Sequence, residues 1–367
     1  MRILVLSNYA NGLYLFRKEL IEQFMDDGHD VFISVPPDEN CDKLRRLGWN
    51  LYETELSRHG MNPLKDIKLY KAYKKLIRQL KADVVLTYTI KPNIYGSMAA
   101  KACKVPYICN ITGLGKAIEN GGIVSKVLIV MYRVAMKKAK KVFFQNEKNM
   151  AILQEKGVAV NNAGLLPGSG VNLTQHPFRE YPSEEDGIRF LAVLRVMRDK
   201  GIGEYLEAAK DISKKHQNVH FELVGEYEED EREKYEPLIQ SLEQEGCLKY
   251  YGHIDNVDEV MAKSHVVVHP SYHEGMSNVI LEAAACGRPI LASNISGCKE
   301  GVDEGKSGFL FEPCSTEALE KEIEHMLTLS EKDRENMGKA ARTLVEQKFD
   351  RRSIILTYIE ELKDITG

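Results

Sequence analysis

The stretch HPSYHEGMSNVILEAAACGRPILAS, residues 269–293, contains most of one folding unit. An apolar run over 266–269 leads into it and reads as a buried strand ending near His269. A polar loop then carries Glu274 and Gly275, and an apolar, alanine-rich helix runs to about Cys286. Gly287-Arg288-Pro289 turns the chain into a second apolar run over 289–292. Strand, helix and strand in so short a span make a βαβ unit, whose two strands lie parallel in one sheet.

The same alternation extends in both directions. Upstream, strand-like runs at 189–193, 220–224 and 248–251 are separated by helical patterns, and a further run follows at 309–311. An earlier series occupies 3–6, 31–35, 50–52, 84–87, 107–110, 141–144 and 164–166, with amphipathic helices over 14–25, 63–80 and 93–102 among them. Short apolar strands alternating with helices predict parallel sheets covered on both faces. The polar, proline-bearing stretch 176–187 reads as the linker. The expected architecture is α/β, with two doubly wound, Rossmann-like domains, 1–175 and 176–349, facing one cleft. The tail 316–367 is helical in pattern with a break near 349–350, and its last helix, about 350–367, is expected to pack back on the first domain. Ligands of open α/β sheets bind at the carboxyl ends of the strands.

With 367 residues, 43% of them hydrophobic and 28% charged, the chain is long enough for two cores and is neither disordered nor collagen-like. No apolar run reaches the ~18 residues of a membrane span. The start, MRILVLSNYANG, reads as a first buried strand rather than a signal peptide, so an intracellular location is expected. Seven cysteines without a Cys-x-x-Cys pair fit unpaired thiols in a reducing compartment.

The net charge of −4 conceals a split. Residues 1–170 hold 26 Lys and Arg against 15 Asp and Glu, while the remainder holds 24 against 39. The basic excess concentrates in 61–148. One part of it, 62–83, carries Lys65, Lys68, Lys71, Lys74, Lys75, Arg78 and Lys81, and reads either as a solvated helix face or as a contact surface. Another, GIVSKVLIVMYRVAMKKAKKV, sets an apolar belt over 123–136 beside basic residues. It reads as a buried core helix or as an amphipathic helix lying on an anionic membrane surface. No aromatic residues interleave with the lysines as stacking platforms for bases, so nucleic acid is not an expected partner. The acidic run EYEEDEREKYE, 226–236, reads as a solvated loop and helix start.

Two stretches carry chemistry. In 269–293, Glu282 sits within an apolar helix, where an ionised carboxylate costs several kcal/mol unless hydrogen-bonded. Ligand hydroxyls or a neighbouring Arg or Lys would meet that need. The helix start Gly275-Met276-Ser277-Asn278 offers free backbone N–H groups and a positive dipole end. In FLAVLRVMRDKGIGEYLEAA, 190–209, a buried strand leads to Arg195, then Lys200 and Gly201, then a helix. Arg195 and Lys200 suit a diphosphate, through paired charge-assisted hydrogen bonds and a point charge, or else form a solvated loop.

Together these stretches resemble the retaining nucleotide-sugar glycosyltransferases of the GT-B fold, and more narrowly family 4, which builds bacterial cell-surface polysaccharides and lipid-linked oligosaccharides. Glu274 and Glu282 match its Glu-seven-residues-Glu signature, and Arg195, Lys200 and Gly201 its Arg-four-residues-Lys-Gly signature. LVGEY (223–227), YYGHIDNVDEVMAKSHVVVHPSYHEG (250–275), SNYANGLYLFRKEL near the start, SRHGMNP (57–63), TIKPNIYG (89–96), NITGLG (110–115) and LLPGSGVN (165–172) follow in the family's order. The resemblance implies that Arg195 and Lys200 bind the donor diphosphate and that Glu282 accepts from the ribose hydroxyls. It implies that Glu274 contacts the donor sugar, with backbone N–H groups of Gly275, Met276 and Ser277 nearby. The loop Gly252-His253-Ile254 would hold the base through backbone atoms. Gly12, in the first βα loop, would lie under the donor phosphate, although the family usually has two or more glycines where this chain has Asn11-Gly12.

The chain has no Asp-x-Asp, the motif with which metal-dependent glycosyltransferases hold a divalent ion on the diphosphate. Arg195, Lys200 and a helix N-terminus would neutralise the leaving group instead, so neither metal nor cofactor is expected. His269 and His273 alone approach ligand-like spacing, and they flank a loop, which argues against zinc. Many relatives carry a histidine in an N-domain loop facing the donor sugar. NITGLGK has none, so His59, Thr112 or backbone atoms are the candidates for that place, His59 being equally readable as an ordinary loop histidine. Arg58 and Lys91 are polar loop positions that would meet the acceptor or its phosphate, or serve the loops alone. The expected donor is a UDP-sugar carrying a hexose or N-acetylhexosamine. The expected acceptor is a polyprenyl-diphosphate-linked sugar or polysaccharide precursor at the inner membrane face, with the enzyme peripheral there. A UDP-sugar 2-epimerase of the same architecture and a non-catalytic nucleotide-sugar sensor are the competing readings.

Overall fold

The computed structural model describes residues 1–56, 62–114, 118 and 121–366. The chain divides into two compact units, Met1–Ser169 with Ser353–Gly367, and Gly170–Arg352.

The first unit is built on β1 (Arg2–Leu6), β2 (Asp30–Val35), β3 (Asn50–Glu53), β4 (Val84–Tyr88), β5 (Tyr107–Ile111), β6 (Lys141–Phe144) and β7 (Ala163–Leu165). They form one sheet in the order β3-β2-β1-β4-β5-β6-β7, with every pair parallel. Successive side chains of a strand point to opposite faces. In β1, Leu4 and Leu6 enter one core and Ile3 and Val5 the other. A strand buried on both faces has no polar alternation, which is why RILVL reads as one apolar run.

The last helix, Arg351–Thr366, packs on this unit: Ile354, Tyr358 and Leu362 lie in the core with Ile3, Val5 and Phe143. Tyr358 donates to Asn110 Oδ1 at 2.5 Å, and Lys141 pairs with Glu361 at 3.2 Å. The helix Gly122–Met136 buries one set of its apolar side chains and exposes another. Leu128, Ile129, Tyr132, Ala135 and Met136 are buried, whereas Ile123, Val124, Val127, Val130 and Val134 are exposed, Ile123 by 82%.

The second unit has β8 (Ile188–Val193), β9 (Val219–Val224), β10 (Leu248–Tyr250), β11 (Val266–His269), β12 (Ile290–Ser293) and β13 (Gly308–Phe311), in the order β10-β9-β8-β11-β12-β13 and again all parallel. Strand order reverses at β8, which lies between β9 and β11. A crevice opens at such a switch point. The loops leaving β8 and β11 are those that carry Arg195, Lys200 and Glu274.

Several expectations change. Residues 176–187 are not a free linker, because they are stitched to the second unit. Arg288, wholly buried, donates through Nη2 to the carbonyls of Arg179 and Glu180 at 2.8 and 2.7 Å. Arg334 grips both oxygens of Glu184 at 2.8 and 2.5 Å. The first unit accordingly ends at Ser169 rather than 175, since the Val171 N–H donates to Phe349 O and Arg351 N–H donates to Val171 O. The helical tail breaks twice, between Thr316–Thr328 and Glu331–Lys348 as well as near 349–350. The additional break is made by Ser330, which starts a capping box with Asp333.

Candidate functional site

Ser277 ends the loop after β11 and caps the helix Asn278–Ala285, its Oγ accepting from Ile280 N–H at 3.4 Å. Two other loops are pressed against this one through glycines. Gly201 has φ +70, and a Cβ on it would fall 2.1 Å from Pro270 O. Gly297 has φ +92, and a Cβ there would fall 2.7 Å from Glu274 Cβ. Neither position admits a side chain without displacing backbone. Tyr272 N–H donates to Asp199 O at 2.9 Å and Ser277 N–H to Gly297 O at 2.8 Å, so three strand exits are fastened together.

This brings Lys200 and Glu274 into contact. Lys200 Nζ donates to Glu274 Oε1 at 2.5 Å, and both side chains are largely enclosed. His269 Nε2 lies 3.1 Å from the same Glu274 oxygen and 3.1 Å from Ser277 Oγ. Burial by itself would raise the Glu274 carboxyl, but the His269 hydrogen bond and the Lys200 charge outweigh it and hold the pKa at about 2. The carboxylate is therefore ionised across the neutral range. Gly275 and Ser277 stand beside it on the loop, whereas the Met276 side chain turns into the core and leaves only its backbone to the site.

Glu282 presents the opposite case. Its carboxylate accepts no hydrogen bond among the described residues, and burial is the largest influence on it. The nearby charges of His176 and Arg351 oppose that influence and Asp258 adds to it, leaving the pKa above the ordinary carboxylate value. Arg351 acts on it as a nearby charge, and among the described residues no ion pair joins it to an Arg or Lys.

Arg195 is not gathered with Lys200. Its side chain is 61% exposed and donates to Glu228 Oε2 at 2.7 Å, so the acidic run 226–236 is not merely solvated. His253 is likewise outward, its Nδ1 3.2 Å from Glu226 Oε1, while Ile254 is half-buried against the core. A cavity of about 510 Å³ lined by Tyr227, Arg232, Tyr250, Gly252 and His253 adjoins this loop and includes none of Lys200, Glu274 or Glu282.

In the first unit, Gly12 lies within the first turn of the helix Ala10–Asp26 rather than in a loop. The helix starts earlier than its apolar periodicity indicates because Tyr9, with extended backbone, ends β1's exit. No side chain caps it, so Gly12 lies among the N–H groups that the helix itself leaves unsatisfied. Lys91 is not an open loop cation: it enters a π-helical turn, Pro92–Gly96, and its Nζ donates to Asp66 Oδ1 at 2.8 Å, with side chains 13% and 5% exposed. Thr112 is half-buried just after β5. Arg58 and His59 lie outside the described residues.

One group among the described residues, His176, Asp258 and Cys286, places metal-ligand atom types within 4.8 Å of one another. His176 Nδ1 and Asp258 Oδ1 are hydrogen-bonded at 2.7 Å, and burial pushes the Cys286 thiol up to about 12. Without an ion the group is a hydrogen-bonded His176–Asp258 pair beside a protonated cysteine.

Comparison with known proteins fits this arrangement. The family described as "Glycosyl transferases group 1" matches residues 175–344, and that described as "Glycosyl transferase 4-like" matches residues 2–146. An N,N'-diacetylbacillosaminyl-diphospho-undecaprenol alpha-1,3-N-acetylgalactosaminyltransferase of Campylobacter jejuni is 30% identical over 360 residues, covering 93% of each chain. The chain belongs to the family 4 glycosyltransferases. The glycosyltransferase is also 26% identical over 317 residues to the capsular polysaccharide glycosyltransferase CapM of Staphylococcus aureus, covering 81% of this chain and 82% of that one. Among solved structures, Anabaena HepE in complex with UDP superimposes with TM-score 0.84 at 19% identity, covering 99% and 100% of the two chains. A sucrose-phosphate synthase from Thermosynechococcus elongatus gives 0.83 at 19%, covering 100% and 99%. The fold shared with both is GT-B.

Three features of the glycosyltransferase's site escape a reading of its sequence. His269 looks like a poor zinc ligand until its ring is seen on Glu274. Glu228 is hidden in a run of like charges. His176 and Asp258 lie 82 positions apart, and no local pattern connects them.

Proposed function

We propose that this retaining glycosyltransferase moves a hexose or N-acetylhexosamine from a UDP-sugar to a lipid-linked or polysaccharide-precursor sugar at the inner face of the cell membrane, without a metal ion. The observation that carries the reading is the pairing of a fixed, ionised Glu274 on Lys200 with a Glu282 carboxylate that accepts no hydrogen bond among the described residues, both on segments leaving β11.

In this reading Lys200 neutralises the donor diphosphate, and Arg195 joins it by exchanging its exposed Glu228 partner for phosphate oxygens. An exposed ion pair contributes only about 0–1 kcal/mol, so that exchange is inexpensive. Glu282 accepts from the ribose hydroxyls, which supply the donors it lacks. Glu274 orients the donor sugar, aided by backbone N–H groups of Gly275, Met276 and Ser277. The backbone of Gly252, His253 and Ile254 holds the base, and Gly12 meets a donor phosphate. The departing diphosphate takes the acceptor's proton on the face it leaves, and the protein contributes positioning and charge stabilisation. In this reading Lys200, already fixed on Glu274, and Arg195, recruited from Glu228, do the work that a divalent ion does elsewhere.

Similarity supports the donor and acceptor classes. HepE structures hold UDP and UDP-glucose, and the C. jejuni relative is named for transfer to a diphospho-undecaprenol-linked sugar. No helix of the described residues is long and apolar enough to cross a membrane. Attachment would come from the helix Gly122–Met136, where Ile123, Val127, Val130 and Val134 form an exposed stripe flanked by Lys126, Arg133 and Lys137. Apolar side chains entering the headgroup boundary and cations near anionic lipids act together on such a surface. Acceptor roles rest with Thr112, Arg58 and His59, because Lys91 is engaged by Asp66.

The test is transfer from UDP-N-acetylhexosamines and UDP-hexoses to an undecaprenyl-diphosphate-linked sugar in the presence of EDTA. A glycosidic bond with the donor's anomeric configuration supports the proposal. Epimerised donor, or nucleotide binding without transfer, refutes it.

A further inference from the structure

His176 is held from several sides. Its N–H donates to Asn172 O at 2.9 Å, its carbonyl accepts from Arg342 Nη1 at 3.1 Å, and its ring Nδ1 meets Asp258 Oδ1 at 2.7 Å. The side chains of His176 and Asp258 are mostly enclosed. Cys286 Sγ lies within 4.8 Å of both, and Glu282 stands one helical turn before Cys286, on the same face. The pair thus lies near enough to Glu282, which accepts no hydrogen bond among the described residues, for their charges to act on each other.

We propose that the His176–Asp258 pair is a positioning unit for Glu282, holding a positive charge against that carboxylate and thereby setting the site's affinity for an anionic nucleoside diphosphate. The proposal rests on the reading of Glu282 as the ribose acceptor. Charged groups facing His176 are Asp258, Glu282 and Arg351, with Arg342 on its carbonyl; Arg179 and Arg288 face the neighbouring Cys286. Within the inner set, the carboxylates of Asp258 and Glu282 are balanced by Arg351 and by His176 only when the imidazole is protonated. Burial would disfavour that form, but the Asp258 hydrogen bond and the Glu282 charge outweigh it and raise the His176 pKa. Loss of the proton leaves one uncompensated negative charge beside a ligand that is itself an anion.

The experiment is calorimetric titration of the full-length protein with UDP from pH 6 to pH 9, for the parent, His176→Gln and Glu282→Gln. Parent affinity should fall about tenfold along the alkaline limb, the change expected when one charge contributes about 1.4 kcal/mol to binding. His176→Gln should bind at the weak alkaline level throughout, with that limb gone. The parent alone supplies a second measurement: UDP binding near the alkaline limb should take up protons, read from the dependence of heat on buffer ionisation. A parent profile flat above pH 7 without proton uptake, or a His176→Gln profile matching the parent's, overturns the positioning role. Glu282→Gln with parental UDP affinity overturns instead the ribose reading beneath it.

Discussion

Lys200 Nζ rests 2.5 Å from Glu274 Oε1, joining residues 74 positions apart at the exits of two adjacent strands. Because His269 binds the same oxygen, the carboxylate is fixed by two donors, one at the end of β11 and the other in the loop after β8. Its depressed pKa has a consequence for stability. A carboxyl at about 2 in the folded chain, against an ordinary 4.5, stabilises the fold above the ordinary value and loses that contribution as pH falls from about 4.5 through 2. The amount is about 3 kcal/mol. Glu274→Gln should therefore flatten the acid limb of the stability profile followed by urea denaturation, while abolishing transfer. An acid limb identical to the parent's would contradict the ion pair.

Glu282 predicts the reverse sign. Its raised pKa means that the folded state favours the proton, so the carboxylate destabilises the chain as pH rises above the ordinary value. Glu282→Gln should melt higher than the parent at pH 7.5, yet bind UDP more weakly by about tenfold or more. A thermal melt and a UDP titration on the same preparation check both halves. A variant that is less stable and binds UDP normally would make Glu282 a structural residue.

Lys91 and Asp66 form an enclosed pair in the first unit. Removing one partner leaves a buried charge without compensation, which costs about 3 kcal/mol or more. Lys91→Met should accordingly lower the melting temperature by several degrees, and Asp66→Asn with Lys91→Met should recover much of the loss. If Lys91 instead served the acceptor directly, Lys91→Met would raise the acceptor KM with an unchanged melting temperature.

The exposed stripe of the helix Gly122–Met136 predicts a separable membrane function. Val127→Asp with Val130→Asp should cut sedimentation with vesicles containing anionic lipid at least severalfold, because each adds a repelled charge and removes apolar area. Both side chains are exposed, so stability should stay within about 0.5 kcal/mol of the parent. Unaltered vesicle binding would place the membrane contact elsewhere.

The strands of both sheets were legible in the sequence, the central ones because parallel strands buried on two faces must be compact apolar runs, whereas the edge strands β3, β7 and β10 are short and partly exposed. Lys200 and Glu274 could be placed after β8 and β11, and Glu282 on the following helix, because each comes just after an apolar run; the roles given to them are what the resemblance to family 4 implies. What the sequence left hidden depended on long-range partners. Residues 176–187 look like a linker because their polar groups bond Arg288 and Arg334, more than a hundred positions away. Lys91 resembles a loop cation until Asp66, on the helix Pro63–Leu80, is placed beside it. Arg195 lies apart from Lys200 because Glu228, at the exit of the neighbouring strand β9, holds it. In each case the deciding contact is electrostatic and between distant segments, and neither periodicity nor turn chemistry records it.

The central claim is a UDP-sugar site built on Lys200, Glu274 and Glu282 that needs no metal. It is tested most directly by the thermal stability of the purified protein with UDP, GDP or ADP, each with and without EDTA. At 100 times its dissociation constant a specific ligand stabilises the fold by about 2.7 kcal/mol. UDP alone should raise the melting temperature, and EDTA should leave the shift unchanged. Stabilisation by GDP or ADP in place of UDP, or a UDP shift that EDTA abolishes, would contradict it.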